Sequence, residues 1–492
     1  MATNLSAVTS NLFHPRKFHI PKGYTIEDLF EIVQQHNMLK PVYQTLWDYY
    51  RGNHIILNRT FDDRTKPNNK IVHNYPRLIV ENSVSYFMGK PVTYMSENEN
   101  LKEDIEDLSN YNNEDDVNAE LVKLSAVYGH AFEILWIDSE GKVRFKPINP
   151  ANIVMLYSMD IEEEPLCAVH YRAVDTGKIG QYKFFLTVYD KTHITEFVGE
   201  GNQPNTQMTK ISSTPHHFKE VPVVEYIANE DRIGDFETVI SLIDAYNLSV
   251  SDSVNDINYL NEAYLMLKNL IDTDEEAVED MKNNRIMLLD EEGDAKWLVK
   301  QVNDKHIENI KERLVGDIHK FSMTPNLADE KFASNLSGVA ISYKLIGLEN
   351  KTAVRERKFA TGLRHRLNLM VNILNLKGKS YDPLDIKPVF TRNIPQNISD
   401  LVNTVISLQD IVPDEDLLSI LPFIENPQQT LEKLKKQRES DKETYEIGAD
   451  LDLGGGNFEQ EGYIKDKEDT RSSQKPNQDK QTLSKPRKSR TK

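Results

Sequence analysis

Cysteine is nearly missing. Cys167 stands alone in 492 residues, which removes any intrachain disulfide framework and any multi-cysteine zinc site, and suits a reducing compartment, the cytosol by default. Long apolar runs are missing too. No window approaches the roughly eighteen consecutive apolar residues of a membrane-spanning helix, and residues 1–20 hold no apolar stretch behind basic residues, so neither a membrane span nor a secretion signal is expected. Positive charge is scarce: 59 Lys and Arg face 77 Asp and Glu, and the net charge of −18 argues against wrapping of nucleic acid by the whole chain, although not against local contact with DNA.

Catalytic motifs are equally scarce. No GxxxxGK[ST] occurs, and Gly454–Gly456 is a glycine run without the following helix and Lys of a phosphate-binding loop, so it reads as a linker. The thirteen histidines form no HExxH, and the neighbours His216 and His217 point apart if they lie in a strand. Cys167 sits in an apolar, strand-like stretch near His170 and reads as a buried, inert thiol. No catalytic residue, metal ligand or cofactor is assigned from the sequence, and an enzyme is not expected.

What is present is enough to fold. Apolar residues make up 39% and aromatics 9%, and the length calls for two or more structural units. From Tyr24 to Arg51, Ile26, Leu29, Phe30 and Val33 recur at helical spacing, with Trp47 and Tyr50 further on. A second helix follows Asn74 and is stopped by Gly89 and Pro91; a third covers about 115–128. After these helices, 130–226 turns to short β-branched and aromatic segments, at 132–136, 143–148, 169–173 and 184–189, punctuated by Gly, Pro, Asn and Asp. That is the pattern of antiparallel meanders. Residues 1–232 therefore read as an α+β domain in a chain that is mainly helical overall.

Beyond Gly234 the period is helical again. Phe236, Val239, Ile243, Tyr246, Val250, Val254, Ile257 and Leu260 lie three or four apart with no Pro or Gly between them, which predicts a rod to about residue 267, roughly 50 Å long, in need of partners along its length. A compact insert follows. Thr273 and Glu276 form a capping box, and 285–289 with 296–302 read as a hairpin turned at 290–294. Ile307, Ile310, Leu314, Ile318 and Phe321 mark a returning helix ended by Pro325, which makes two antiparallel helices carrying a small head. The loop 326–337 then leads into a long helix from Val339 to about Asn375, where Gly347 or Gly362 could bend it. From 398 to 438 two or three more helices are spaced by Pro413 and Pro427. The end of the chain, 465–492, has Leu483 as its one apolar residue outside Gly and Pro, and ten basic against four acidic residues, so it reads as disordered.

Two charged regions stand out. Residues 272–294 hold ten acids and two bases, which reads as a solvated acidic surface or one that meets a basic partner, with a metal site as the sharper alternative. The long helix is opposite: Lys344, Lys351, Arg355, Arg357, Lys358, Arg364 and Arg366 face Glu349 and Glu356, for a net of +5. Phosphate contact competes there with ion pairing to the acidic face of a neighbouring subunit.

Several phrases carry a resemblance. YYRGNH at 49–54, KIVHNYPRLIVENSVSYFMGKPVTY at 70–94, YGHAFEILWID at 128–138, INPANIVMLY at 148–157, GDFETVISLIDAYN at 234–247 and SGVAISYKLIGLENKTAVRERKF at 337–359 resemble, in wording and order, portal proteins of tailed bacteriophages, of the siphophage type from Gram-positive hosts. The resemblance implies a dodecameric ring at one capsid vertex, assembled in the host cytoplasm and kept in the virion. Double-stranded DNA would pass through it during packaging and ejection. Its implied partners are further copies of itself, terminase, a head-completion adaptor, scaffold and major capsid protein.

On that resemblance, 1–232 is similar to the wing, 233–268 and 304–324 to the two stem helices, and 269–303 to the clip, where Glu275, Glu276, Glu279, Asp290 and Glu291 would dock partners. Likewise 325–337 is similar to the tunnel loop, 338–376 to the kinked helix and 377–440 to the crown, while the polar tail 441–492 matches no part of the family. Lys331, Asn335 and Lys344 are the residues placed nearest the DNA. Phe236, Val239, Ile243, Val250, Val254 and Ile257 are expected to pack between subunits. The alternatives are another capsid-associated adaptor or scaffold ring without a pore of duplex width, and an enzyme acting on nucleic acid.

Overall fold

The computed structural model describes residues 15–62, 66–177, 182–201, 208–260, 264–268, 294–298, 304–327, 338–394, 398–409, 411–421, 424, 430–431 and 433–437. It divides into two compact units, 1–396 and 397–492.

The first unit opens with β1 (Phe18–Ile20), α1 (Ile26–Asn37) and α2 (Lys40–Arg51). The predicted single helical stretch over 24–51 is thus two helices. Thr25 starts α1 through a reciprocal cap, its hydroxyl accepting from the Asp28 N–H while the Asp28 carboxylate accepts from the Thr25 N–H, and Gly52 ends α2 in the left-handed region at φ 90°. α3 (Tyr75–Met88) follows Asn74, as the sequence predicts, and the Asn74 side chain caps it. β2 (Thr93–Ser96), α4 (Glu99–Asn112) and α5 (Glu114–Tyr128) follow. β1, β2 and α4 escape the sequence reading, because three- and four-residue strands show no period and α4 is dominated by acids.

Eight strands come next: β3 (His130–Ile137), β4 (Val143–Ile148), β5 (Ile153–Ser158), β6 (Pro165–Asp175), β7 (Tyr182–Asp190), β8 (His193–Gly201), β9 (Thr209–Pro215) and β10 (Val223–Ile227). They form a six-stranded sheet, β1-β5-β6-β7-β8-β9, antiparallel except for the β1–β5 pair, and a three-stranded antiparallel sheet, β10-β3-β4. The predicted meander is therefore present. His216 and His217 lie just beyond β9 rather than in a strand.

Period-2 alternation sets the layers. Val154 and Leu156 of β5 face α1 together with Ile20, Leu29, Val33, Cys167 and Val169, while Ile153 and Met155 face Phe132 and Ile134 of the smaller sheet. The other side of that sheet turns Ala131, Leu135, Val224 and Tyr226 onto a helical layer. That layer contains α3, α5 and three later helices: α6 (Ile240–Leu260), α7 (Asp304–Phe321) and α8 (Gly338–Leu376). Phe236, Val239, Ile240, Ile243, Ile318, Phe359 and Leu363 belong to the same apolar cluster, so the core runs across residue 232 without a break.

Two corrections concern the rod. α6 has 21 residues, about 32 Å at 1.5 Å per residue, and not the expected 50 Å. Residues 264–268, assigned to the helix by their apolar run, are instead β11 (Tyr264–Lys268), paired antiparallel with β12 (Asp294–Leu298). The expected partner strand 285–289, the capping box at Thr273 and the rest of 269–293 lie outside the described residues. A short apolar run does not distinguish a buried strand from the last turns of a helix.

α8 runs uninterrupted through Gly347 and Gly362 for 39 residues. At Gly362 the glycine makes room: a Cβ there would stand 2.6 Å from the Tyr226 ring. A short strand β13 (Ile386–Val389) pairs antiparallel with β2. The second unit contains α9 (Ile398–Leu408) and α10 (Asp414–Ser419), the latter entered at Pro413. Its tail beyond 437 lies outside the described residues.

Candidate functional site

The candidate surfaces are those of α6, α7 and α8. Of the residues named from sequence, Lys331, Asn335, Glu275, Glu276, Glu279, Asp290 and Glu291 lie outside the described residues. Lys344 sits half-exposed near the start of α8 and is engaged by another group rather than free.

Most α8 cations are committed inside their own chain. Arg355 and Lys351 both meet Asp235, Lys351 at 3.3 Å, and the Lys351 ammonium also donates to the Ser322 carbonyl at 3.0 Å. Burial alone would raise the Asp235 carboxyl, but these two cations hold it well below the usual carboxylate range. Lys358 pairs with Glu230, and His365 stands 3.2 Å from Glu220. Arg366 is fully buried. Its guanidinium forks onto Glu133 with two bonds of 2.8 Å, donates to Glu114 at 2.6 Å and Asn118 at 2.9 Å, and lies 4.5 Å from the centre of the Phe145 ring. Burial pushes the Glu133 carboxyl up against the pull of Arg366. The sequence alternatives of phosphate or a neighbouring subunit both miss this third use of a cation, which is to neutralise carboxylates carried by the chain's own α5 and β3.

What α8 holds out to solvent is narrower. Arg357 and Arg364, seven residues apart on one face, make no ion pair among the described residues. Towards the N-terminal end the exposed side chains turn apolar: Tyr343 is 72% exposed, and Ile346 and Val354 are exposed as well. Met323, at φ 55° just past the end of α7, lies beside Gly347 and is also exposed, as are Phe321 and Leu327.

The apolar stripe that leads into α6 and continues along it divides in two. Phe236, Val239 and Ile243 are wholly inaccessible within the chain's own core, so they cannot pack between subunits, contrary to the sequence expectation. Val250 and Val254 are half-exposed and Ile257 is 60% exposed. The row that α6 buries beyond Ile243 is polar. Asn247 accepts from the His73 N–H at 2.8 Å, Ser251 from the Ile71 N–H at 3.0 Å and Asn255 from the Asn69 N–H at 2.7 Å, while Asp252 pairs with Arg59 at 2.6 Å. Four residues of helix rise about 6 Å and two extended residues span about 6.6 Å, so the two periods match. The extended segment 69–73 is thereby zipped along α6 every second residue. The signal is in the sequence, as Asn247, Ser251 and Asn255 at i, i+4 and i+8, but the apolar period alone does not point to it.

At the head of this row the Tyr49 hydroxyl approaches both Asp244 carboxylate oxygens at 2.9 Å, with no ion pair to Asp244 among the described residues, and burial raises Asp244 to about 6. The Tyr49 ring stacks on His54, which contacts Asn247 at 2.9 Å.

Nucleophilic or metal chemistry finds little purchase. Cys167 is fully buried, and burial pushes its thiol up to about 12. Among the described residues no three His, Cys, Asp or Glu side chains converge as metal ligands, and no helix is long and apolar enough to cross a membrane.

Comparison with known proteins gives these surfaces a context. The family model described as phage portal protein, SPP1 Gp6-like, matches residues 29–444. The chain is similar to the portal protein of Bacillus phage SPP1, 23% identical over 392 residues, which cover 76% of this chain and 77% of that one. It is also similar to the portal protein of Clostridium phage phiCD119, 22% identical over 415 residues, 80% of this chain and 90% of that one.

Proposed function

The chain belongs to the SPP1 Gp6-like phage portal proteins, and from that premise we propose that its copies close into a ring around a channel for double-stranded DNA at one vertex of the capsid. Membership makes it a structural component of the virion with portal function in packaging, of the kind found in phages of Gram-positive hosts. The finer reading is a dodecamer built in the host cytoplasm, with 1–232 as wing, 233–268 and 304–324 as stem, 269–303 as clip, 325–337 as tunnel loop, 338–376 as the helix behind it and 377–440 as crown. In this reading the clip docks terminase and then the head-completion adaptor, while scaffold and major capsid protein meet the ring from outside.

The observation that supports assembly is the residual apolar exposure of α6, α7 and α8. After the chain has closed its own core, Val254, Ile257, Phe321, Met323, Tyr343 and Ile346 still face water, and neighbouring copies would bury them. The test is negative-stain imaging together with light-scattering mass. A ring with a pore wide enough for a duplex is expected; a monomer under all solution conditions overturns the reading. Lys331, Asn335 and Lys344 remain the residues assigned to the bore, and Lys331→Ala is expected to change packaging rate or packaged DNA length.

A further inference from the structure

The loop between β5 and β6 is an apolar knob on a rigid mount. Ile161 is 100% exposed and Met159 66% exposed. Such side chains usually sit on mobile tips, yet this tip is braced from all sides. The Ser158 hydroxyl donates to Asp160 at 2.5 Å and accepts from the Glu164 N–H at 3.0 Å; Lys22 holds Asp160 at 2.7 Å; Lys17 and His19 hold Glu163 at 2.5 and 3.0 Å; and Lys191 holds Glu164. Among these acids Glu162 alone is exposed with no ion pair among the described residues.

The same sheet carries a matching hole. Beneath α1, the side chains of Val33, Tyr171, Phe184 and Leu186 line a cavity of about 340 Å³, and Lys40 and Arg172 also border it. An apolar cavity of about 150 Å³ already accepts benzene, so there is room for an isoleucine and a methionine. The Lys40 ammonium lies 4.5 Å from the centre of the Tyr171 ring and the Arg172 guanidinium 4.9 Å from that of Phe185, and neither cation has a carboxylate partner among the described residues. The chain thus presents an apolar tip with an unpaired carboxylate at one end of β6 and an apolar hole with two unpaired cations further along. About seven residues of strand, roughly 24 Å, separate Pro165 from Arg172, so a chain cannot fill its own hole.

We propose that the Met159–Ile161 tip of one copy inserts beneath α1 of the next, with Glu162 meeting Lys40 and Arg172. The contact joins two different faces and is therefore head-to-tail, the kind that closes into a ring when the rotation permits. It rests on the portal reading only in requiring that copies associate. The braced loop loses little freedom on docking, which favours it as an anchor.

The test uses the full-length chain with Ile161→Cys and Ala173→Cys combined, since Ala173 also lines the cavity and the native Cys167 is buried. Mild oxidation followed by a denaturing gel is expected to give a ladder of dimer, trimer and larger species, with neither single variant cross-linking. Assembly by light-scattering mass without a ladder overturns this contact and leaves the portal reading standing. A chain that never associates overturns both. Cross-linking by Ile161→Cys alone, to itself or to another phage protein, overturns the hole as its receptor. Ile161→Asp, on an exposed tip where folding is unaffected, is expected to weaken association about tenfold or more. Glu162→Arg is expected to weaken it too, and Arg172→Glu in the same chain to restore it; failure of that charge swap removes the pairing from the proposal.

Discussion

Replacing Arg366 by Ala is the sharpest available test of how the charge of α8 is used. The side chain is fully buried, and its removal leaves Glu133 and Glu114 facing each other without a counter-charge at a site that water does not reach. Breaking a buried pair in this way costs about 3–5 kcal/mol, a large part of the stability of a typical domain. Arg366→Lys keeps the charge but cannot fork onto Glu133 while also reaching Glu114 and Asn118, so about 2 kcal/mol is expected for that variant. Arg364→Ala, two residues away and exposed, should stay within about 0.5 kcal/mol. Denaturant unfolding followed by circular dichroism ranks the three. The sign with pH is fixed as well: without Arg366 the Glu133 carboxyl sits still further above its ordinary value, so the folded state gains a proton, and the Ala deficit should shrink as pH falls towards 5. Glu133→Gln added to Arg366→Ala should recover part of the loss, because no charge is then left buried. Equal stability of Arg364→Ala and Arg366→Ala, with an altered salt slope for DNA retention in the latter, would refute this account and return Arg366 to the phosphate-contact reading.

Three further outcomes follow from α6. Asp244 is raised from 3.8 to about 6 by burial, so its contribution to stability is full below pH 4 and is lost as pH rises to about 6; Asp244→Asn should abolish that dependence and add about 2 kcal/mol at pH 7.5, read from denaturation midpoints. Ser251→Ala strands the Ile71 N–H against the helix, costing about 1–2 kcal/mol, and hydrogen exchange should show the Ile71 amide losing protection while Leu46 keeps its own. Ile243→Asp should prevent folding, whereas Ile257→Asp should leave the melting temperature of the monomer unchanged and weaken assembly in sedimentation; equal effects from the two would contradict the division of the α6 stripe.

Legibility in the sequence tracked the strength of local periodicity. The meander strands and α3 were readable because alternation, helical spacing and the Gly89 and Pro91 stop signals act within a few residues. β1 and β2 were not, because each is held by a partner far along the chain: β1 by β5 and β2 by β13. The end of α6 failed for a related reason. Tyr264–Leu267 is an apolar run, and the strand state of Tyr264–Lys268 is set by pairing with Asp294–Leu298 across a 25-residue insert, which no local window contains.

The candidate site shows a different limit, since a charge count does not say who answers each charge. The net of +5 on α8 suggested a cationic surface, yet Lys351, Arg355, Lys358 and Arg366 are matched by Asp235, Glu230, Glu133 and Glu114, all from elements preceding α8. Those acids were counted separately, as part of the −18. Four of the seven α8 cations thus answer acids of the chain's own earlier elements, and Arg357 and Arg364 stay exposed with no ion pair among the described residues. The same accounting applies to apolar residues. Phe236, Val239 and Ile243 share their helical period with Val250, Val254 and Ile257, yet only the first three belong to the buried core cluster of the chain. A stripe shows that a helix needs cover, and only tertiary packing shows how much of that cover its own chain has already supplied.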